Sequence, residues 1–106
     1  DEQDDGGIRM KFEYGDVGCT PGINRMLRDD PIVNDWIADC LDRHLNGDWG
    51  ELCDEDRKMN DESVRMENEG KMGWGLMSSY SIDDIRIWII TEADRSSTTI
   101  LLPSEY

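Results

Sequence analysis

The spacing of the apolar residues changes at Gly70, and that change decides the fold class. Before it, Val33, Trp36, Ile37, Cys40, Leu41 and Leu45 recur at intervals of three and four. That interval lays one apolar stripe along a helix. After it, three short segments at 74–80, 85–92 and 97–102 are rich in β-branched, aromatic and hydroxyl side chains. Ile85, Ile87 and Ile89 share one face of the middle segment, and Arg86, Trp88 and Ile90 share the other, which is the period of a strand. Ser81-Ile82-Asp83-Asp84 and Ala93-Asp94-Arg95-Ser96 separate the segments and read as hairpin connections. The expected architecture is α+β: two to three N-terminal helices packed on a C-terminal three-stranded antiparallel meander. A strand around 11–17 could add an edge. The second face of the middle strand is not fully polar, so it is either covered as well or open to a partner.

Helix limits follow from local chemistry. Thr20-Pro21-Gly22 marks a start, because Pro suits the first helical position where its missing N–H would be unpaired anyway. A short helix through Ile23, Met26 and Leu27 follows. Asp30-Pro31 repeats the signal, and a second helix should run from about Pro31 to Asn46 with Gly47 as its stop. Asp48 and Glu51 have capping-box spacing. A third helix is expected from Glu51 or Asp54 to about Asn68, carrying Leu52, Met59, Val64 and Met66. Residues 1–9 hold four acids, two glycines and little that is apolar, and read as a flexible extension or tag remnant. Residues 10–106 read as a single α+β domain.

Charge narrows the partners. The chain has 25 acidic and 11 basic side chains, a formal net charge of −14. Direct binding of nucleic acid or of an anionic membrane needs the opposite sign. A basic protein surface or a cation is the favoured partner. No apolar run approaches the ~18 residues that cross a bilayer, and no signal-peptide pattern is present. Three cysteines, Cys19, Cys40 and Cys53, make an odd number with no C-x-x-C pair, which suits reduced thiols. These features point to a cytoplasmic protein, expected to be a monomer or weak homodimer.

The acidity is concentrated. Positions 29–62 hold twelve acidic residues and three basic ones, whereas positions 71–106 hold five and three. In the second helix Asp35, Asp39 and Asp42 fall away from the apolar stripe. Asp35 and Asp39 are like charges four apart, which weakens an isolated helix by about 0.2–0.5 kcal/mol. The acids at the start of the third helix are partly explained by its dipole. The expected partner-binding face comprises Asp35, Asp39, Asp42, Asp48, Asp54, Glu55, Asp56, Asp61 and Glu62. Trp49 is its candidate apolar anchor, since exposed tryptophans often anchor interfaces.

Catalytic and metal chemistry are weakly supported. His44 is the only histidine. A zinc site with Asp48 and Cys53 lacks repeated ligand spacing. A Cys53–His44 nucleophile pair lacks a legible orienting group and oxyanion site. Glu92 and Asp94 sit at a hairpin end, where carboxylates more often make turn hydrogen bonds or pair with Arg95. Asp54-Glu55-Asp56 lacks the calcium-loop spacing, and Gly70–Gly75 lacks the phosphate-loop pattern. The expectation is no catalytic residue, no metal, no cofactor and no enzymatic activity.

Several blocks together resemble a known family. They are Thr20-Pro21-Gly22, the run His44-Leu45-Asn46-Gly47-Asp48-Trp49-Gly50-Glu51-Leu52-Cys53, Met77-Ser78-Ser79-Tyr80, the long run from Trp88-Ile89-Ile90-Thr91-Glu92-Ala93-Asp94-Arg95 through Pro103, and Glu105-Tyr106. The chain from about Met10 to Tyr106 is similar to a small family spread over bacterial chromosomes, plasmids and phages, and the C-terminal block is the most specific part. It departs from that family in a longer 20–44 segment and an acidic N-terminal extension. The mobile-element setting implies defence or counter-defence. The chain also resembles small anti-CRISPR proteins that inhibit the RNA-guided nuclease of type II systems. Such an effector holds its heteroduplex in a positively charged channel. The resemblance therefore implies an inhibitor whose acidic face mimics DNA and blocks target binding or cleavage. An adaptor or antitoxin-like interaction module from a mobile element is the alternative.

Overall fold

The computed structural model describes residues 11–106. The expectation for residues 1–9 lies outside them. The elements run β1 (Asp16–Cys19), α1 (Pro21–Asp29), α2 (Pro31–Leu45), α3 (Asp54–Asn68), β2 (Leu76–Ile82), β3 (Ile85–Thr91), β4 (Ser97–Leu101) and a 3-10 turn at Pro103–Glu105.

Asp30 ends one helix and begins the next. Its backbone N–H bonds the Met26 carbonyl, while its carboxylate accepts from the N–H groups of Ile32 and Val33 at 3.0 and 3.3 Å. The start of α1 is capped differently. Thr20 makes no side-chain bond to the helix. Glu105, from the far end of the chain, accepts the Gly22 N–H at 2.8 Å and the Thr20 hydroxyl at 2.5 Å. A carboxylate there satisfies an orphan donor and complements the helix dipole. The third helix begins at Asp54, not Glu51. Glu51 is drawn off to β2, where its carboxylate accepts from the Ser81 N–H at 3.1 Å and the Ser81 hydroxyl at 2.7 Å.

The sheet has four strands in the order β1-β4-β3-β2. The three C-terminal strands pair antiparallel in chain order, with Ser79 opposite Trp88 and Ile89 opposite Ile100. The sheet is nevertheless mixed, because β1 adds to β4 in parallel, Val17 opposite Thr98. The edge strand thus lies at Asp16–Cys19 and not at 11–17. A parallel pair needs a long crossover, and the entire helical layer lies between these two strands.

The helices lie on one face of the sheet. Ile23, Val33, Ile37 and Cys40 pack with Tyr80, Ile87, Ile89 and Ile100. A second cluster joins Trp49, Val64 and Leu76, with Phe12 and Leu52 against it. On the opposite face the C-terminal turn packs, and the rings of Trp88 and Tyr106 meet edge to face at 5.7 Å. The outer edge of β2 is covered by residues 49–51. Glu51 N–H donates to the Ser79 carbonyl at 2.7 Å, and Ser79 N–H to the Trp49 carbonyl at 3.3 Å. Gly50, at φ +73°, is required, since a Cβ would overlap the Ser79 carbonyl oxygen. Covering an edge in this way removes a template for pairing with other chains. Among the described residues, no helix is long and apolar enough to cross a membrane.

Arg95 organises the other end. It holds a left-handed backbone, φ 62°, unusual for a non-glycine residue. Its guanidinium, on a side chain 9% exposed, donates to Glu67 at 2.7 Å, to the Trp74 carbonyl at 2.9 Å and to Ser63 Oγ at 3.1 Å. Arg95 therefore pairs across the fold with Glu67, and Asp94 instead accepts the Ser96 N–H at 2.9 Å as a turn.

Candidate functional site

The nine acids of the expected face divide into two groups. Three have internal partners. Asp48 pairs with Arg43 at 2.8 Å and accepts the Gly50 N–H. The Arg43 hydrogen bond holds the Asp48 carboxyl below its ordinary range. Asp61 accepts the Trp49 indole N–H at 2.8 Å, and Glu62 pairs with Arg65. The other six are exposed and, among the described residues, in no ion pair: Asp35, Asp39 and Asp42 on α2, and Asp54, Glu55 and Asp56 in the first turn of α3. Cys40 and Ile37 bury the opposite side of α2, which is why the aspartates stand outward. The acidic face is thus two patches on separate helices. α2 packs on α1 and on the sheet, and α3 packs on β2.

Trp49, expected as an exposed anchor, lies in the core and is 3% exposed. Its ring stacks near Phe12 and meets His44 edge-on at 5.5 Å. With its indole N–H bound to Asp61 as well, it ties the segment after α2 to α3 and has no surface to offer a partner.

His44 is fully buried and lies in a directional chain of hydrogen bonds. The Tyr14 carbonyl can only accept, so the Thr98 hydroxyl donates to it at 2.8 Å. Thr91 then donates to Thr98 at 2.7 Å. His44 Nε2–H must donate to Thr91 at 2.9 Å, which leaves Nδ1 to accept from the Ser78 hydroxyl at 2.5 Å. Both ring nitrogens are used, and the neutral Nε2–H tautomer is the one that completes the chain. Burial pushes the imidazole pKa down to about 3. Cys53, the other half of the imagined nucleophile pair, caps α3 at the exposed surface. Burial raises the Cys40 thiol to about 11. Among the described residues, no three His, Cys, Asp or Glu side chains cluster to hold a metal ion.

One surface was not singled out. Met59 and Trp74 are 54% and 36% exposed and line a groove with Asp56 of the first turn of α3, while Met72, 73% exposed, lies toward the far end of that helix. The available signal was the run Gly70-Lys71-Met72-Gly73-Trp74-Gly75, where large apolar residues alternate with glycines in a loop. What the arrangement offers chemically is surface: two sets of carboxylates in no ion pair among the described residues, and exposed apolar side chains. Comparison with family models, with curated proteins and with solved structures returns no match to this chain.

Proposed function

We propose that this protein is a non-enzymatic inhibitor that binds a basic, nucleic-acid-binding surface of another protein through its acidic helices. In line with the chain's resemblance to small anti-CRISPR proteins, the target is a CRISPR effector nuclease in a bacterial cell. The observation that carries the reading is the row Asp35, Asp39 and Asp42, exposed along α2 and in no ion pair among the described residues. The fold gains nothing from placing like charges at that spacing. A cationic channel would gain from them, and association would be fast and salt-dependent. Asp54, Glu55 and Asp56 supply a second contact.

The test is a target-cleavage assay with a purified type II effector, adding this protein before or after target DNA. Inhibition only when it is added first supports competition for the DNA site. The triple variant Asp35→Lys, Asp39→Lys, Asp42→Lys should lose inhibition at least tenfold. Undiminished inhibition by that variant, together with binding that does not weaken between 50 and 300 mM salt, would overturn the acidic-face reading.

A further inference from the structure

The loop before β2 presents an aromatic ring that the fold holds firmly but does not cover. Trp74 N–H donates to Ser63 Oγ at 2.9 Å. Its carbonyl accepts from Ser63 Oγ at 2.6 Å and from Arg95 at 2.9 Å. Its indole N–H donates to the Met59 carbonyl at 3.1 Å. The polar edge of the indole is satisfied internally, yet the residue stays 36% exposed. With its N–H, carbonyl and indole N–H all bonded, what Trp74 leaves exposed is carbon surface already held in place, so a partner meets it at little conformational cost.

Beside the ring, Leu52, Met59, Gly75 and Met77 complete a groove of about 230 Å³ between α3 and β2, with Asp56 also in its lining. Pockets for drug-sized ligands span about 300–1,000 Å³. This one suits an inserted side chain better than a cofactor. Methionine is adaptable and recurs on surfaces that accept varied apolar side chains.

We infer that this groove docks a basic amphipathic segment of a partner protein. The segment inserts one apolar side chain between Met59 and Met77 and lays an arginine against Trp74 and Asp56. Charge selects this occupant. Asp54, Glu55 and Asp56 form the first turn of α3, in no ion pair among the described residues, and Asp56 lines the groove; the neighbouring Arg57 is engaged by the Leu52 and Gly50 carbonyls at 3.0 and 3.1 Å. An arginine gains a carboxylate and a π face at once. A second copy of a chain at −14 would bring like charge against that turn. The inference rests on the reading of a basic partner and adds its apolar anchor, on α3 and the 70–75 loop in place of Trp49.

The test is an NMR titration of the ¹⁵N-labelled full chain with three synthetic peptides, alternating Arg-Leu, Arg-Ser and Glu-Leu. The Arg-Leu peptide should shift the Trp74 indole and Gly75 amide signals. Its Kd should rise at least tenfold in Met59→Lys and in Asp56→Lys, and less than twofold in the triple α2 variant. Both groove positions are exposed, and an unshifted Trp49 indole signal reports a retained core. Arg-Leu binding that maps only to α2 and is lost in the triple variant would overturn the groove while sparing the acidic-face reading. Absence of binding by both arginine peptides would overturn both. Equal binding of Glu-Leu would overturn the charge selection.

Discussion

Lowering the pH from 7 to 5 should destabilise the protein through His44. A free imidazole protonates near 6.5, whereas in the folded chain burial holds it at about 3. The folded state therefore disfavours the charged ring. The stability this represents is fully present above about pH 6.5 and is lost as pH falls from there toward 3. At pH 5 the unfolded chain binds nearly one more proton than the folded chain. Integrating from pH 7 gives a loss of about 2 kcal/mol. Geometry supplies the cause: protonation puts a second N–H on the ring, facing Ser78 Oγ at 2.5 Å, and strands a buried hydroxyl proton. Other groups titrate in this range, so the measurement is a difference. Urea unfolding of the wild type and of His44→Gln at both pH values isolates the imidazole. The variant should be less stable at pH 7 by about 1–3 kcal/mol, because Ser78 loses its acceptor. The gap between the two proteins should narrow by about 2 kcal/mol at pH 5. A gap independent of pH, or an NMR titration of His44 with a midpoint near 6.5, would refute the buried relay.

Three further outcomes follow from contacts made at long range. Gly50→Ala combines a left-handed backbone with overlap onto the Ser79 carbonyl and should cost about 1–3 kcal/mol in thermal unfolding. It should also raise aggregation by baring the β2 edge; a soluble variant of unchanged Tm would contradict this. Glu105→Gln removes the anionic acceptor of the Gly22 N–H and should lower the Tm, with hydrogen exchange accelerating selectively in α1. Uniform acceleration would contradict a local cap. Arg95→Met leaves Glu67 half-buried without its cation and should cost about 3–5 kcal/mol by urea unfolding. An additional Glu67→Gln should recover part of that loss, and no recovery would contradict the ion pair as its source.

The elements were legible because their signals are local. Asp30-Pro31 and Gly47 bracket α2 closely, and the alternation of Ile85, Ile87 and Ile89 marks the core face of β3. The parallel pairing of β1 with β4 was not legible, because Val17 and Thr98 are brought together by the helical layer and by no turn of their own. The acids of α2 read correctly as exposed, since the stripe opposite them fixes the helix rotation. Asp48 and Asp61 were not legible as partnered: Arg43 reaches Asp48 across the turn at Gly47, and the Trp49 indole is brought to Asp61 by packing against α3. His44 looked like a helix-end residue. Its role depends on Ser78, Thr91 and Thr98, three hydroxyls from three strands that no spacing connects.

The pairing of Cys19 with Ile100 also has a consequence for synthesis. A ribosome adds about 5–20 residues per second, so the strand that completes the sheet emerges roughly 4–16 s after the one it pairs with. For most of that interval α1 and α2 have no complete sheet to cover their apolar stripe, since β2 and β3 emerge late in it. Of the two, α2 carries the acids, Asp35, Asp39 and Asp42 against Arg43, whereas α1 has one acid and two arginines. Mutual repulsion among nascent chains on one message would keep the waiting helices apart until β4 arrives. The aspartates of α2 would thus serve the chain before any partner does.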